Sequence, residues 1–321
     1  MKPVFRLHHW LNCTVLVMLG ATHVMASAER LPMPKGNENF GAEALSRGVF
    51  ATELECSSVS VAVWARTDTG EAECLRYWAY GLADGPKNPR ALIYIPGDQL
   101  AFDQPAPGYT SLNPGKMQSL VDEMALKVGV PLILVARPGT FGSSGEHTQR
   151  RRRLEPQLVS NALDELKTRH GIQELTLVGL SGGGHIVASL LGWRSDITCA
   201  VPTSSVSSPR QRWEDMGRTT DLTGYADSYE PLPHLRREVM NPKLRVFVLG
   251  DPKDSSVKWA TQLPIAARLK ELGVGVEVVT GEGSDTQRHA LGASGRLIGS
   301  LCLLDRPTVE ILNFAAHGLK G

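Results

Sequence analysis

Ser181 sits in the run Gly179-Leu180-Ser181-Gly182-Gly183, a G-x-S-x-G pattern between a short apolar stretch, 175–180, and a helix-like stretch, 185–192. Small neighbours let such a serine take the strained dihedrals of a strand-to-helix turn and project its hydroxyl beyond the end of a sheet. An alcohol is a weak nucleophile near neutral pH, so it needs a histidine base. That histidine in turn needs a carboxylate to fix its tautomer and stabilise its charged form. Both residue types lie downstream. Asp251 and Asp254 follow the apolar run 244–249, and His289 closes the segment after the next such run, 276–279. Either aspartate meets the chemical requirement at this level. His317 falls in the C-terminal tail, expected on the far side of a helix. His185 falls in the helix after the serine turn, where a histidine more often packs or caps than catalyses.

These residues need a scaffold that brings distant loops to one place. The run 59–65 alternates apolar residues and 74–81 is rich in aromatics, with Asp68-Thr69-Gly70 between them, which predicts an antiparallel hairpin. Short apolar runs then recur at 91–95, 131–135, 175–180, 197–201, 244–249 and 274–279. They are separated by helical patterns at 117–128, 155–170, 183–192, 261–272 and 291–303. This alternation predicts an α/β fold: a mostly parallel central sheet with an antiparallel N-terminal hairpin and helices on both faces. The segment 204–241 breaks the alternation, with Trp213, Tyr225, Tyr229 and several prolines but no clear strand. Both a small cap insertion above the strand ends and an irregular surface connection fit it.

The order Ser, Asp, His, each following its own strand, resembles that of the α/β-hydrolase superfamily. From about residue 90 to 303 the chain looks closest to the prolyl oligopeptidase and dienelactone hydrolase side of it. Asn241-Pro242-Lys243 before the acid strand and the Ala266-Ala267-Arg268-Leu269 to Gly273 stretch before the last strand add to the likeness. The resemblance implies Ser181 as nucleophile and His289 as base. It favours Asp254 over Asp251 as the acid, because Asp254 stands three residues before Val257, the family's Asp-x-x-Val spacing. One extra residue between Gly250 and Asp254 departs from the common pattern and keeps Asp251 open. It also implies an oxyanion hole from the backbone N–H of Gly182 and of Asp98, the latter in Pro96-Gly97-Asp98-Gln99, where the family has a His-Gly turn. Proline replaces that histidine, so the second donor is Asp98 or, one position on, Gln99. The loop from Arg137 to Gly145 resembles the family's Arg-Gly-x-Gly segment, with Arg137 expected to pin the loop by ion pairing. The arginine run 150–153 reads as a solvated face.

Composition agrees with one large α/β domain: 42% hydrophobic and 21% charged residues, with a formal net charge of +1 that argues against nucleic-acid binding. Lys2 and Arg6, the mainly apolar stretch 10–25 and Ala26-Ser27-Ala28 read as an export signal, 1–28, cleaved to leave a single domain, 29–321. The apolar stretch is short of a membrane span and is interrupted by Asn12, Thr14 and His23, so no span is expected after cleavage. A periplasmic or secreted location follows. Cys13 would leave with the signal, and Cys56, Cys74, Cys199 and Cys302 would remain, as two disulfides or as buried thiols. Three connectivities are open, and a shared position at the bottom of the sheet favours Cys199 with Cys302. No cofactor or metal is implied.

The expected function is an exported serine hydrolase that cleaves a carboxylic ester or a small amide or peptide bond through an acyl-enzyme. The alternatives are a prolyl-oligopeptidase-like serine peptidase and a non-catalytic binding protein with the same fold. The partner is a small ester or short peptide, and the sequence is silent on oligomeric state.

Overall fold

The computed structural model describes Met1 and residues 29–318, apart from Pro86 and Phe102. The expected signal, after Met1, lies outside the described residues. Eight strands form the central sheet: β1 (Ala62–Arg66), β2 (Ala72–Tyr80), β3 (Arg90–Ile95), β4 (Leu132–Val135), β5 (Glu174–Leu180), β6 (Ile197–Thr203), β7 (Arg245–Gly250) and β8 (Gly275–Thr280). Their order is β1-β2-β4-β3-β5-β6-β7-β8. β2 pairs antiparallel with both β1 and β4, and every other neighbouring pair is parallel. This is the expected mostly parallel sheet with an antiparallel hairpin at its N-terminal edge.

Side-chain alternation explains why the sheet needs cover on both faces. In β3, Ala91, Ile93 and Ile95 enter one core and Leu92 and Tyr94 enter the other. The first core is closed by α2 (Leu154–His170), α3 (Gly182–Leu190) and α4 (Pro264–Glu271), the second by α1 (Pro114–Val128), α5 (Gly292–Leu303) and α6 (Thr308–Gly318). Local chemistry sets their ends. The Asn113 side chain accepts from the Lys116 N–H ahead of Pro114, and Gly129 closes α1 in the left-handed conformation.

One expected helix needs correction. The helix expected over 261–272 is divided into Trp259–Gln262 and α4, because Pro264 has no N–H to continue the first helix and starts a new one. The tail carries a whole helix, α6, which buries Ile311 and Ala315 against α5. Between β6 and β7 the chain has one short helix, Pro209–Asp215, and a single 3-10 turn, Leu232–His234, within otherwise irregular backbone. Cys56 bonds Cys74, and Cys199 in β6 bonds Cys302 in α5. Among the described residues no helix is long and apolar enough to cross a membrane.

Candidate active site

The turn after β5 places Ser181 at φ 54° and ψ −114°, outside the regions an L-residue occupies without strain. Such a conformation costs of order 1–3 kcal/mol and persists only where the surroundings over-determine it. Here they do. The Ser181 N–H donates to the Thr203 carbonyl at 2.9 Å, and its own carbonyl accepts from the N–H groups of His185 (3.1 Å) and Val206 (3.2 Å). The glycines are needed for close approach. A Cβ on Gly179 would collide with the Gly183 backbone, and one on Gly183 with the Ile95 carbonyl. The Ser181 hydroxyl has no hydrogen-bond partner among the described residues and is not sealed from solvent.

Asp254 and His289 meet beyond the same ends of the neighbouring strands. His289 Nδ1 lies 2.7 Å from Asp254 Oδ2. An ionised carboxylate only accepts, so Nδ1 carries the proton and Nε2 is left free as a base. Asp254 Oδ1 also accepts from the N–H groups of Ser256 (2.8 Å) and Val257 (2.9 Å), and Oδ2 from Gln262 Nε2 (3.2 Å). The Asp-x-x-Val spacing thus has a local reason: the carboxylate caps its own turn and keeps one oxygen for the imidazole. The His289 backbone is fixed from both sides, its N–H donating to Asp285 Oδ1 (2.6 Å) and its carbonyl accepting from Ser204 Oγ (2.8 Å). Ser204, which directly follows the strand holding the Ser181 N–H, therefore ties the histidine loop to the sharp strand-to-helix turn at Ser181, the elbow. Ser204 and Arg288 also have positive φ, 44° and 60°, so each of these three loops carries a strained residue.

Asp251 does other work. Its carboxylate accepts from the N–H of Lys253 (2.8 Å) and Gly283 (2.9 Å) and from Arg288 Nε (2.7 Å), stapling the loops after β7 and β8 together. His185 is also committed. Its Nε2–H donates to the Tyr229 carbonyl at 2.8 Å, and burial pushes its pKa down to about 4.

The turn after β3 lies against the elbow: a Cβ on Gly97 would stand 3.4 Å from Ser181 Cβ. The two donor positions left open there now differ. The Gln99 N–H donates to His147 Nε2 at 3.0 Å, whereas the Asp98 N–H has no partner among the described residues. Gly182 likewise offers a free N–H at the start of α3.

The Asp98 side chain belongs to a buried ionic network that sequence reasoning missed. It pairs with Arg137 (2.8 Å), Arg150 (3.3 Å) and Arg151; Arg137 also pairs with Glu155 (2.6 Å), and Arg151 with Asp221 (2.6 Å). Arg137 therefore has the structural ion-pairing role expected of it. The arginine run does not form a solvated face, because Arg150 and Arg151 are buried and only the following two reach outward. Burial alone would raise the Asp98 pKa, but the guanidinium groups of Arg151, Arg150 and Arg137 hold it well below the usual carboxylate range. A Cβ on Gly182 would lie 2.6 Å from Arg137 Nη1, so the network packs directly beneath the elbow and anchors both free N–H groups.

Protonation within this buried layer makes the fold acid-sensitive. An unfolded histidine protonates near pH 6.5, so between that pH and about 4 the unfolded chain binds a proton that folded His185 does not. Stability is full above this window and falls as the pH drops through it; His147, buried beside Arg137 and Arg150, acts in the same direction. The urea midpoint should be lower at pH 5 than at pH 7.5. A midpoint independent of pH over that range would contradict the neutral, buried state of both rings.

Among the described residues no group of three or more His, Cys, Asp or Glu side chains converges as a metal site would. No protein-family model matches the chain, and no curated protein does. Solved structures do resemble it. Est1E from Butyrivibrio proteoclasticus, solved with ferulic acid bound, superposes with a TM-score of 0.50 at 14% identity, over 76% of this chain and 99% of that one. The acylaminoacyl peptidase of Pyrococcus horikoshii gives 0.53 at 15% identity, over 76% of this chain and 40% of that one. Prolyl oligopeptidase B of Galerina marginata gives 0.51 at 12%, over 76% and 37%. At such identities the likeness is one of fold.

Proposed function

We propose that this chain, which has the α/β-hydrolase fold, is an exported serine hydrolase that cleaves a carboxylic ester or a small amide or peptide bond through an acyl-enzyme. The observation that carries the reading is the 2.7 Å bond from His289 Nδ1 to Asp254, on a loop that Ser204 ties to the strand end bonded by the strained Ser181. In this reading Nε2 of His289 takes the Ser181 proton as Oγ attacks the substrate carbonyl, and Asp254 stabilises the imidazolium that forms. Negative charge on the former carbonyl oxygen meets the N–H groups of Gly182 and Asp98, which are aimed before the reaction starts. His289 then passes its proton to the leaving group. Water, deprotonated by the same Nε2, releases the acyl group and restores Ser181.

Segment 204–241 supplies a wall of this site, since Val206 bonds Ser181 and Asp221 anchors Arg151. Export is supported by the N-terminal signal pattern and by two disulfides, which persist in oxidising compartments. The second reading, a prolyl-oligopeptidase-like peptidase, draws on the fold likeness to two peptidases, of whose chains this one covers 40% and 37%.

A panel of short-chain aryl esters, aminoacyl amides and X-Pro peptides separates the readings. Ester turnover that disappears in Ser181→Ala is expected, and preference for X-Pro amides would select the peptidase. Absence of turnover on every substrate by the folded wild type would leave a binding protein.

A further inference from the structure

Arg212 is a buried cation for which the protein provides no acid. It is 8% exposed and forms no ion pair among the described residues. The arithmetic of the surrounding charges makes this notable. Asp98, Glu155 and Asp221 balance Arg137, Arg150 and Arg151, and nothing is left over for a fourth guanidinium. Arg212 touches only the Ser256 carbonyl, through Nε at 3.4 Å and Nη2 at 3.3 Å, both long for a charged donor. Its Nη1 has no partner, yet it is not sealed from solvent. Burial and the Arg151 guanidinium both disfavour its charged form. A buried, unpaired cation is expensive unless something completes it.

Its position says what could. Ser256 belongs to the turn that Asp254 caps, so the guanidinium adjoins the loop carrying the acid. Its own helix follows directly on Val206, whose N–H bonds Ser181. Arg212 therefore adjoins the acid loop, on the segment that bonds Ser181.

We infer that Arg212 is the receptor for an anionic group of the substrate, and that the substrates are esters or amides carrying a carboxylate. The inference rests on the serine hydrolase reading above. A carboxylate offers two oxygens to the planar guanidinium fork and neutralises the excess charge. A purely structural role, holding the short helix to the acid loop through Ser256, would leave substrate choice independent of substrate charge.

The test compares charged and neutral substrates of matched shape at pH 7.5. On the acyl side, 4-nitrophenyl monoesters of succinate, glutarate and adipate are set against the butyrate, pentanoate and hexanoate esters. On the leaving-group side, the acetate ester of 3-hydroxybenzoate is set against phenyl acetate. In at least one arm, wild-type kcat/KM should favour the charged member by about 10-fold or more, the range of a charge-assisted hydrogen-bonded pair. The preference should collapse towards unity in Arg212→Met and return in part in Arg212→Lys. Wild type alone decides if Arg212→Met does not fold, since preference for the neutral member at every length and in both arms overturns the inference. A preference that survives in folded Arg212→Met overturns it as well. Fluorophosphonate labelling of Ser181 in the same preparation separates the two levels: labelling without charge preference defeats the Arg212 inference alone, whereas no labelling by folded protein defeats the hydrolase reading and this inference together.

Discussion

His289→Ala should lower kcat/KM on an aryl ester by about 10⁴-fold or more while leaving the fold intact, because the Ser181 hydroxyl then has no base within the site. At 25 °C this is a rise of at least about 5.4 kcal/mol in the activation barrier. The effect should be kinetic and not structural. The imidazole lies at the mouth of the site with 14% of its side chain exposed, and Asp254 keeps Ser256, Val257 and Gln262 as donors after the ring is gone. Asp254→Asn should act almost as strongly, because an amide in its place lets the ring settle in the wrong tautomer. Asp251→Asn is the informative control. Its carboxylate is spent on Lys253, Gly283 and Arg288, so its loss should weaken the packing of two loops and reach kcat only modestly. Steady-state kinetics on the three variants, with circular dichroism to confirm folding, check the assignment. Equal losses in Asp251→Asn and Asp254→Asn would move the acid.

Arg151→Met should cost about 3–5 kcal/mol of stability, the usual penalty for breaking a buried ion pair from one side. Methionine fills most of the volume but leaves Asp221 without its two guanidinium bonds and Asp98 with a weaker clamp. Burial then dominates at Asp221, whose one guanidinium partner is gone, while Arg137 and Arg150 still hold part of the charge on Asp98. Urea unfolding at pH 7.5 reads the effect directly, with a loss below about 1 kcal/mol contradicting the network's role. Function should suffer too, since the Asp98 N–H is placed by the residue whose side chain Arg151 holds. The surviving folded fraction should therefore show a lower kcat with KM less affected, the signature of an interaction made mainly in the transition state.

The sheet was legible because burial on two faces makes each central strand a short apolar run, and all eight runs correspond to observed strands. The placement of Ser181, Asp254 and His289 at one end of that sheet followed from the same pattern, since successive parallel strands deliver their following loops to one side. Proline at 264 was a readable break in the expected helix 261–272. The helix over 308–318 was readable too, from Ile311 and Ala315 four residues apart.

The ionic network was not legible. Arg150 and Arg151 look like any charged run, and the acids that make their burial tolerable, Asp98, Asp221 and Glu155, come from three separate elements. No local signal joins them. The difference between the Asp98 and Gln99 N–H groups was hidden for the same reason, because it comes from His147, a residue 48 positions beyond Gln99. Ser204 and Asp285, which hold His289 by its backbone, were likewise hidden, since a side chain that bonds main chain leaves no spacing pattern.

The central claim, that Ser181 is an activated nucleophile, is tested most directly by treating the mature protein with a fluorophosphonate and locating the adduct by peptide mass spectrometry. The account predicts one adduct, on Ser181, absent in Ser181→Ala and strongly slowed in His289→Ala. A folded wild type that stays unlabelled, or an adduct on another serine, would contradict it.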